Sequence, residues 1–380
     1  MRERILRQLN SRQVRYLATA LVVVLAVAAA VFLKYRADHR TYSSYVIEQA
    51  EEKSDSVSKY AYVNGSVLRY SMDGAALIRK DLTTAWNTAY SMSDPRIDIC
   101  GSHILLYDRL GTAMYIYNEK DRVSELQADG PILEARISEK NTVAALIQDG
   151  ERVDFLYYSS SGEPIAAGES GLSDPGYPIA LAVSDDGVSV AISYLTAADG
   201  SIGTDVRFYR FDAGGKAYEN NMTGEDSFPG IYAPDVQYLN GSECVLFRDN
   251  GFTVYKGRQS QSVSKSVDFE DEIVTAFHDG SHMGFLFRSD DKGHRFEMRI
   301  YTTSGNLVSS SFVDQTFTRV HVCGNEVIFS SSSDFSVYSM NGVCRFSGRL
   351  QGGNVADVLR LGGNRLLAFT DYNMEVIRLK

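Results

Sequence analysis

The chain has 380 residues, a hydrophobic content of 44% and a formal net charge of −10 at pH 7. Residues 1–40 carry a net charge of +6 from eight Lys and Arg against two Asp and Glu, whereas the other 340 residues carry −16 from 30 against 46. This length allows a large core, and the acidic body argues against nucleic acid as a partner, because phosphate binding needs a basic face.

An apolar run from Leu17 to Leu33 follows a basic leader. Tyr16 and Tyr35 flank this run at positions typical of a membrane interface, and a helix between them would reach about 30 Å. We therefore predict a transmembrane helix over residues 16–35. The alternative is a cleaved signal peptide, against which the length of the run argues, since a signal core has about 7–15 apolar residues.

The five Arg before this run exceed the three basic residues that follow it closely. The excess predicts a cytoplasmic tail at residues 1–15, a cell-membrane location as a single-pass protein, and an extracytoplasmic body. Residues 36–56 are polar and charged, which predicts a helical or loose stalk. Tyr42, Tyr45 and Val46 are also compatible with a short strand.

From Lys59 onward, short runs of alternating apolar and polar residues are separated by Gly-containing turns. Groups of about four such runs recur at the spacing of propeller blades, about 40–50 residues. An Arg-apolar-polar-apolar-Cys-Gly motif at Arg96–Gly101 recurs at Arg319–Gly324, which indicates an internal repeat. We predict an all-β fold in which residues 57–380 form a β-propeller of eight blades, or of seven if the end groups merge.

The two ends of the chain are predicted to meet in one blade. The first group of strands lacks an inner strand and the last group, which ends with Met374–Leu379, lacks an outer one. A propeller closes its ring because an open sheet edge promotes aggregation. The last strand therefore needs an N-terminal partner, either Tyr42–Ile47 or Lys59–Val63.

Three segments carry a resemblance to known proteins: Gly176–Gly187, Val190–Leu195 and Val376–Leu379. With the predicted strands they resemble the quinoprotein-like (PQQ-like and WD40-like) superfamily of eight-bladed propellers. More closely, the chain is similar to a family of uncharacterised bacterial single-pass membrane proteins with an extracytoplasmic propeller. Quinoprotein enzymes stack tryptophans between blades around a quinone and calcium, whereas this chain has a single Trp, at Trp86. The resemblance therefore implies the fold and not a chemistry.

No catalytic motif is present in the sequence. His-Glu-x-x-His, Cys-x-x-Cys, a P-loop and Gly-x-Ser-x-Gly are all missing, so we predict no catalytic residue, no cofactor and no metal site. Cys100 and Cys323 occupy equivalent positions in distant blades, and Cys323 and Cys344 lie on separate strands of one blade. Because a disulfide needs Cα atoms within about 7 Å, we predict buried free thiols.

Polar residues recur at matching positions of the predicted inner strands, and they are Arg96, Asp98, Arg319, His321 and Arg360. Inner strands line the channel of a propeller, so these side chains are candidates for a polar funnel. The alternative is a structural network of ion pairs between blades. The predicted loops Thr196–Gly203 and Asn221–Tyr232 are the other candidate binding sites, because long loops on a rigid scaffold often carry function, although they are also compatible with tolerated decoration.

These features together predict a non-enzymatic binding platform for an envelope protein, peptide or glycan. The prediction depends on the anchor, the repeat scaffold and the missing catalytic motifs. The alternative is a quinone-dependent or hydrolytic enzyme with its site in the channel, which a quinone titration would distinguish.

Overall fold

The computed structural model describes residues 11–52, 58–170, 176–198, 200–291, 293–351 and 353–380. In these residues, helix α1 (Ser11–Asp38) precedes 32 strands that form eight four-stranded antiparallel sheets. The predicted all-β propeller with eight blades is confirmed, and the alternative of seven blades is wrong. Two 3₁₀ turns, Gly215–Ala217 and Glu219–Asn221, lie in blade 4.

Blades 1 to 7 each contain four consecutive strands, ordered from the channel to the rim, and blade 8 combines the two ends of the chain. The first half comprises β1 (Tyr45–Glu52) of blade 8; β2 (Lys59–Val63), β3 (Ser66–Tyr70), β4 (Gly74–Ile78) and β5 (Thr84–Ala89) of blade 1; β6 (Pro95–Cys100), β7 (His103–Asp108), β8 (Ala113–Tyr117) and β9 (Arg122–Gln127) of blade 2; β10 (Ile132–Ile137), β11 (Val143–Asp149), β12 (Arg152–Tyr158) and β13 (Pro164–Ser170) of blade 3; and β14 (Tyr177–Val183), β15 (Ser189–Ala198), β16 (Ser201–Arg210) and β17 (Met222–Pro229) of blade 4. The second half comprises β18 (Asp235–Asn240), β19 (Glu243–Arg248), β20 (Gly251–Lys256) and β21 (Ser262–Asp268) of blade 5; β22 (Ile273–His278), β23 (His282–Arg288), β24 (Phe296–Thr302) and β25 (Leu307–Val313) of blade 6; β26 (Arg319–Val322), β27 (Glu326–Ser330), β28 (Asp334–Ser339) and β29 (Cys344–Arg349) of blade 7; and β30 (Val355–Gly362), β31 (Arg365–Thr370) and β32 (Asn373–Leu379) of blade 8.

The inner strands of several neighbouring blades contact one another, which places them around the central channel. Each blade packs between two others, so its middle strands are apolar on both faces. In β7, the four residues from Ile104 to Tyr107 are all buried. Aromatic side chains bridge adjacent blades: Tyr60 stacks on Phe369 with ring centroids 3.5 Å apart, and Trp86 stacks on Tyr117 at 4.5 Å.

Blade 8 closes the ring. Its strand β1 pairs antiparallel with β32, from Tyr45 opposite Leu379 to Glu52 opposite Asn373. The prediction that the two chain ends meet in one blade is confirmed, and the partner is the segment that overlaps Tyr42–Ile47. Residues 45–52, which fall within the predicted stalk, are therefore a blade strand. The propeller begins at Tyr45 and not at residue 57.

Two other outer strands differ from the prediction. The prediction that the first group lacks an inner strand is wrong, because β2 is the inner strand of blade 1. The strand that the sequence pattern does not indicate is the outer one, Thr84–Ala89. In blade 4, the alternation at Lys216–Glu219 also predicts an outer strand from the sequence, but these residues lie in the 3₁₀ turns and the outer strand is Met222–Pro229. Each of these outer strands is exposed on one face and has little apolar alternation.

Both predicted loops of blade 4 are largely regular structure. The segment Thr196–Gly203 extends the hairpin of β15 and β16, with Thr196 opposite Gly203 and Ala197 opposite Ile202. Most of Asn221–Tyr232 is strand β17. The backbone of both segments is thus held by sheet pairing, so the sequence-based prediction of two long loops is wrong.

Helix α1 covers the stretch for which the sequence predicts a transmembrane span. In the part of the chain that the structure describes, no helix combines the length and the hydropathy that a membrane crossing requires. The predicted tail at 1–15 lies mostly outside the described residues.

All four cysteines are free, as predicted. Cys244 and Cys323 are buried, and Cys100 is partly buried. The prediction of burial is wrong for Cys344, which is exposed because it begins the outer strand β29.

Candidate functional site

The propeller has two faces, because consecutive strands of a blade run in opposite directions. We define the upper face by the turns between the second and third strands of each blade and by the connections from one blade to the next. The lower face carries the remaining turns. The inner strands run from the upper to the lower face, so residues at their beginnings lie at the upper mouth of the channel.

Arg96 lies at the upper mouth beside Asp94, with Nη2 2.9 Å from Asp94 Oδ2. Two further cations reach the same carboxylate: Arg109 Nη1 is 3.7 Å from Oδ2 and Lys59 Nζ is 3.9 Å from Oδ1. The hydrogen bond from Arg96 lowers the pKa of Asp94 below its ordinary value, and the other two cations add to the effect. The three cationic side chains are 45–47% exposed. We call Lys59, Arg96 and Arg109 the cation trio.

Asp98 lies further along the same inner strand and pairs with the next blade. Its Oδ1 accepts a hydrogen bond of 3.1 Å from Arg136 Nη1. The Arg136 guanidinium also lies 2.8 Å from Glu134 Oε1 and 3.8 Å from Asp235 Oδ1, and its Nε donates to Leu181 O at 3.1 Å. Burial opposes the charge on Arg136, but the carboxylates outweigh it and raise its pKa. Burial raises the pKa of Glu134. One guanidinium thus connects the inner strands of blades 2, 3, 4 and 5.

Arg319 and His321, both on the inner strand of blade 7, face the fully buried Asp357 of blade 8. Arg319 Nη1 donates to Asp357 Oδ2 at 3.2 Å. His321 Nε2 lies 2.8 Å from Asp357 Oδ1, although its orientation does not form a hydrogen bond. The same Oδ1 accepts from the Val358 N–H at 2.9 Å. This carboxylate therefore ties blade 7 to blade 8.

Arg360, the last predicted site residue, binds the buried carboxylate of Glu326 in blade 7 through Nη1. Arg345 Nη1 donates to the other oxygen of Glu326 at 2.7 Å. Two guanidiniums consequently neutralise one carboxylate that is only 3% exposed.

The five predicted channel residues are distributed over separate contacts and do not form one ring. Asp98, Arg319, His321 and Arg360 each meet a partner on an adjacent blade, whereas Arg96 pairs with the connection that precedes its own strand. This is the geometry expected of the alternative, an ion-pair network between blades. The sequence did not identify the partners of Asp98, Arg319, His321 and Arg360, because those partners lie on other blades.

A cavity of about 480 Å³ opens at the lower end of the channel. Its polar lining includes Arg136, Glu139, Asp185 and His278. Cys100 also faces it, with Sγ 3.6 Å from Asp185 Oδ1. Burial raises the pKa of the Cys100 thiol and lowers that of His278. Both groups are therefore held neutral, and a protonated thiol is a poor nucleophile. Across the described residues, no group of His, Cys, Asp and Glu has an arrangement suited to a metal ion.

The upper face presents three large apolar side chains at the tips of equivalent turns. Tyr372 of blade 8 is 68% exposed, Met72 of blade 1 is 49% exposed and Leu110 of blade 2 is 56% exposed. The three blades are consecutive in the ring. The equivalent turns of blades 3, 5 and 7 carry polar or small residues, namely Gly150 and Glu151, Asp249 and Asn250, and Ser331 to Ser333. The hairpin of blade 4 also carries an apolar side chain, Ile202, which is 62% exposed, but blade 4 is not adjacent to blade 8, blade 1 or blade 2. We call Tyr372, Met72 and Leu110 the apolar tips.

Leu110 has a left-handed backbone conformation with a φ of 64°. This conformation costs a residue with a side chain about 1–2 kcal/mol. Two main-chain hydrogen bonds hold the turn: Leu110 N donates to Ile132 O at 2.8 Å, and Gly111 N donates to Asp108 O at 3.0 Å. Such strain is concentrated at functional sites. In the sequence, the only signal for this site is a single apolar residue in a turn.

Comparisons with known proteins agree with this architecture. A family model described as "Family of unknown function (DUF5711)" matches residues 38–379. No curated protein matches the sequence.

Among solved structures, BamB from Moraxella catarrhalis is similar with 10% identity and a TM-score of 0.50, over 88% of this chain and 100% of that chain. The computationally designed Ika8 protein is similar with 10% identity and a TM-score of 0.51, over 87% and 98%. A chain from the complex of KlAtg21 with the coiled-coil of AgAtg16 is similar with 12% identity and a TM-score of 0.51, over 78% and 100%. At identities this low, the structural similarity shows a shared fold and nothing about a shared function.

Proposed function

Starting from the fact that this chain belongs to the DUF5711 family of unknown function, we propose that its propeller is a non-enzymatic platform that binds a protein segment on the upper face. The apolar tips carry this proposal. Exposed large apolar side chains on one face of a folded domain typically mark an interaction surface, and Tyr and Met are among the residues enriched in protein interfaces.

The strained turn at Leu110 adds a second line of support. A Gly or Asn at this position would adopt the same backbone without strain. The chain instead places an exposed Leu there, which costs stability twice, through backbone strain and through exposure of apolar surface. A partner that buries Leu110 would offset part of that cost.

The fold itself is suited to the role. One of the similar structures, the complex of KlAtg21 with the coiled-coil of AgAtg16, contains a chain of the same fold in a complex with a helical partner. At 12% identity this likeness supports the suitability of the scaffold and says nothing of the partner.

We also propose that the platform is tethered on the outer side of a membrane, where its partner would be an envelope protein. The apolar run Leu17–Leu33 and the five preceding Arg support this location. Strand β1 begins at the lower face, since Tyr45 pairs with Leu379. A tether that precedes β1 would therefore leave the upper face directed away from the membrane. Protease added to intact cells should then digest the propeller, and full protection with a digested N-terminal tag would contradict the orientation.

Site-specific photocrosslinking tests the binding face. The photoreactive residue p-benzoylphenylalanine would replace Leu110 or, as a matched control, Leu307 on the outer strand of blade 6, because both leucines are 56% exposed. The full-length chain in its own cells should cross-link to a partner from position 110 and not from position 307. Equal yields from the two positions would contradict the proposal.

A further inference from the structure

We propose that the partner segment is acidic, and that its carboxylates bind the cation trio while its apolar side chains cover the neighbouring apolar tips. This inference rests on the proposed function, because it assigns the chemical class of the partner for the same upper face.

The cation trio has more positive charge than its own carboxylate can satisfy. Lys59, Arg96 and Arg109 all lie within 4.0 Å of Asp94. Asp108, which ends the strand before Arg109, accepts the Ser93 and Asp94 N–H groups through Oδ1 at 2.9 and 2.8 Å. Three half-exposed cations therefore surround a single carboxylate, and a second carboxylate from outside could bind to them without displacing a buried contact.

The carboxylate that the trio surrounds lies between the turns that carry the apolar tips of blades 1 and 2. Arg109 directly precedes Leu110, and Arg109 N donates to Asp94 O at 3.0 Å. On the other side, Met92 N, in the connection that leads to Asp94, donates to Met72 O at 2.9 Å. The main chain around Asp94 is thus hydrogen-bonded to both turns that carry apolar tips of blades 1 and 2. A segment that covers the tips would pass beside the cations.

The charge of the remaining protein makes this patch selective. Residues 41–380 carry a net charge of −16, so most of the surface repels an acidic segment. Local positive charge would attract and orient such a segment at the upper mouth. Arg is well suited to the role, since its guanidinium binds a carboxylate with paired hydrogen bonds.

Peptide binding to the full-length chain in mild detergent tests the inference. The probes are three fluorescent 12-residue peptides that share the same Leu and Phe positions and carry Glu, Gln or Lys at all other positions. We expect the Glu peptide to bind about tenfold more tightly than the Gln peptide, a difference of the size expected from charge-assisted hydrogen bonds to one carboxylate. The Lys peptide should bind most weakly.

Two variants separate recognition from structure. Asp94→Asn removes the competing carboxylate and should strengthen binding of the Glu peptide severalfold, whereas a purely structural role of Asp94 would weaken it. Arg96→Gln combined with Lys59→Gln should abolish the preference for Glu over Gln. Glu125→Gln and Arg122→Gln are matched controls, because this pair is an exposed ion pair of 3.1 Å on the rim of blade 2, and they should change nothing.

If the Glu and Gln peptides bind equally well, or if neither binds, the inference that the partner segment is acidic is overturned. Cross-linking from Leu110 that persists in that case would leave the proposed function intact, whereas its simultaneous loss would overturn both. A melting curve would show whether Asp94→Asn folds. If it does not fold, the variant that combines Arg96→Gln with Lys59→Gln decides whether the inference holds. A retained preference of this variant for the Glu peptide over the Gln peptide overturns the inference.

Discussion

Arg136 and Asp98 join the inner strands of adjacent blades through a 3.1 Å contact between Nη1 and Oδ1. Glu134 and Asp235 meet the same guanidinium, so one cation holds three carboxylates inside the channel. Removal of this cation should be costly, because the partly buried carboxylates of Asp98 and Glu134 would be left without a counter-charge.

Arg136→Met should destabilise the propeller by about 3–5 kcal/mol, the usual result of removing one partner from a buried ion pair. The loss should be measured by chemical denaturation at pH 7. Arg122→Met, which removes an exposed ion pair with Glu125, is the control and should cost less than about 1 kcal/mol. Similar losses in the two variants would contradict a special role for Arg136.

The cost of Arg136→Met should depend on pH in a defined direction. Burial already raises the pKa of Glu134, so the folded state binds its proton more tightly than the unfolded state does. That contribution favours folding at low pH and is lost as the pH rises through the raised pKa. Removal of the guanidinium raises this pKa further. The stability gap between wild type and variant should therefore narrow from pH 7 to about pH 5, and a constant gap would disprove the mechanism.

Deletion of residues 1–52 should lower the melting temperature, whereas deletion of residues 1–40 should not. Only the longer deletion removes β1, whose Glu48 lies 2.8 Å from both Arg365 and Arg378 and whose Tyr45 OH donates to Arg349 O. We expect a decrease of about 5 °C or more and a new tendency to aggregate through the bare edge of β32. Calorimetry and light scattering would measure both effects, and identical curves for the two deletions would show that β1 does not contribute to the stability of the ring.

Leu110→Asn should stabilise the fold and weaken partner binding. Asn tolerates the left-handed backbone better than Leu, so the free energy of unfolding should rise by up to about 1 kcal/mol. The control is Leu82→Asn, because Leu82 has a similar φ of 68° but packs against the core. In this control, the loss of buried apolar surface should cancel the gain from relieving the backbone strain. A fall in the stability of Leu110→Asn would show that the turn is not strained.

Thiol labelling should distinguish the exposed Cys344 from the buried Cys244 and Cys323. Burial raises the pKa of Cys323 to about 12 and that of Cys244 well above its ordinary value. The thiolate is the reactive form, so both should stay unmodified by maleimide at pH 7.5 until the protein unfolds. Cys344 is exposed and should react first. Mass spectrometry of timed samples would detect the order, and early modification of Cys244 or Cys323 would indicate local opening of a blade.

The blade repeat was readable from sequence because the second and third strands are buried on both faces. Runs such as Ile104–Tyr107 have no other explanation in a chain of short strands. The outer strands were harder to recognise. Thr84–Ala89, Met222–Pro229 and Tyr45–Glu52 each contact only one neighbouring strand, so their sequences need few apolar residues and do not alternate clearly.

The site was less predictable than the fold for a related reason. The polar residues on the inner strands could be found from the repeat, but their partners could not. Arg136 and Asp357 lie on blades that follow Asp98 and Arg319 in the ring, and pairing across blades leaves no local pattern. The apolar tips are single residues in turns. Tyr372 and Met72 lie on neighbouring blades only because the ring closes between blade 8 and blade 1.

The closure of blade 8 by β1 also sets an order of events during synthesis. Glu52 leaves the ribosome roughly 320 positions before its partner Asn373, a wait of roughly 15–65 s at about 5–20 residues per second. For that time β1 is a strand without a sheet. Its glutamates, among them Glu48 and Glu51, keep such a segment soluble and poorly suited to pairing with a wrong edge. The charges that make the sequence of β1 resemble a linker thus also keep this strand, the first to be synthesised, soluble until β32, the last, is available for pairing.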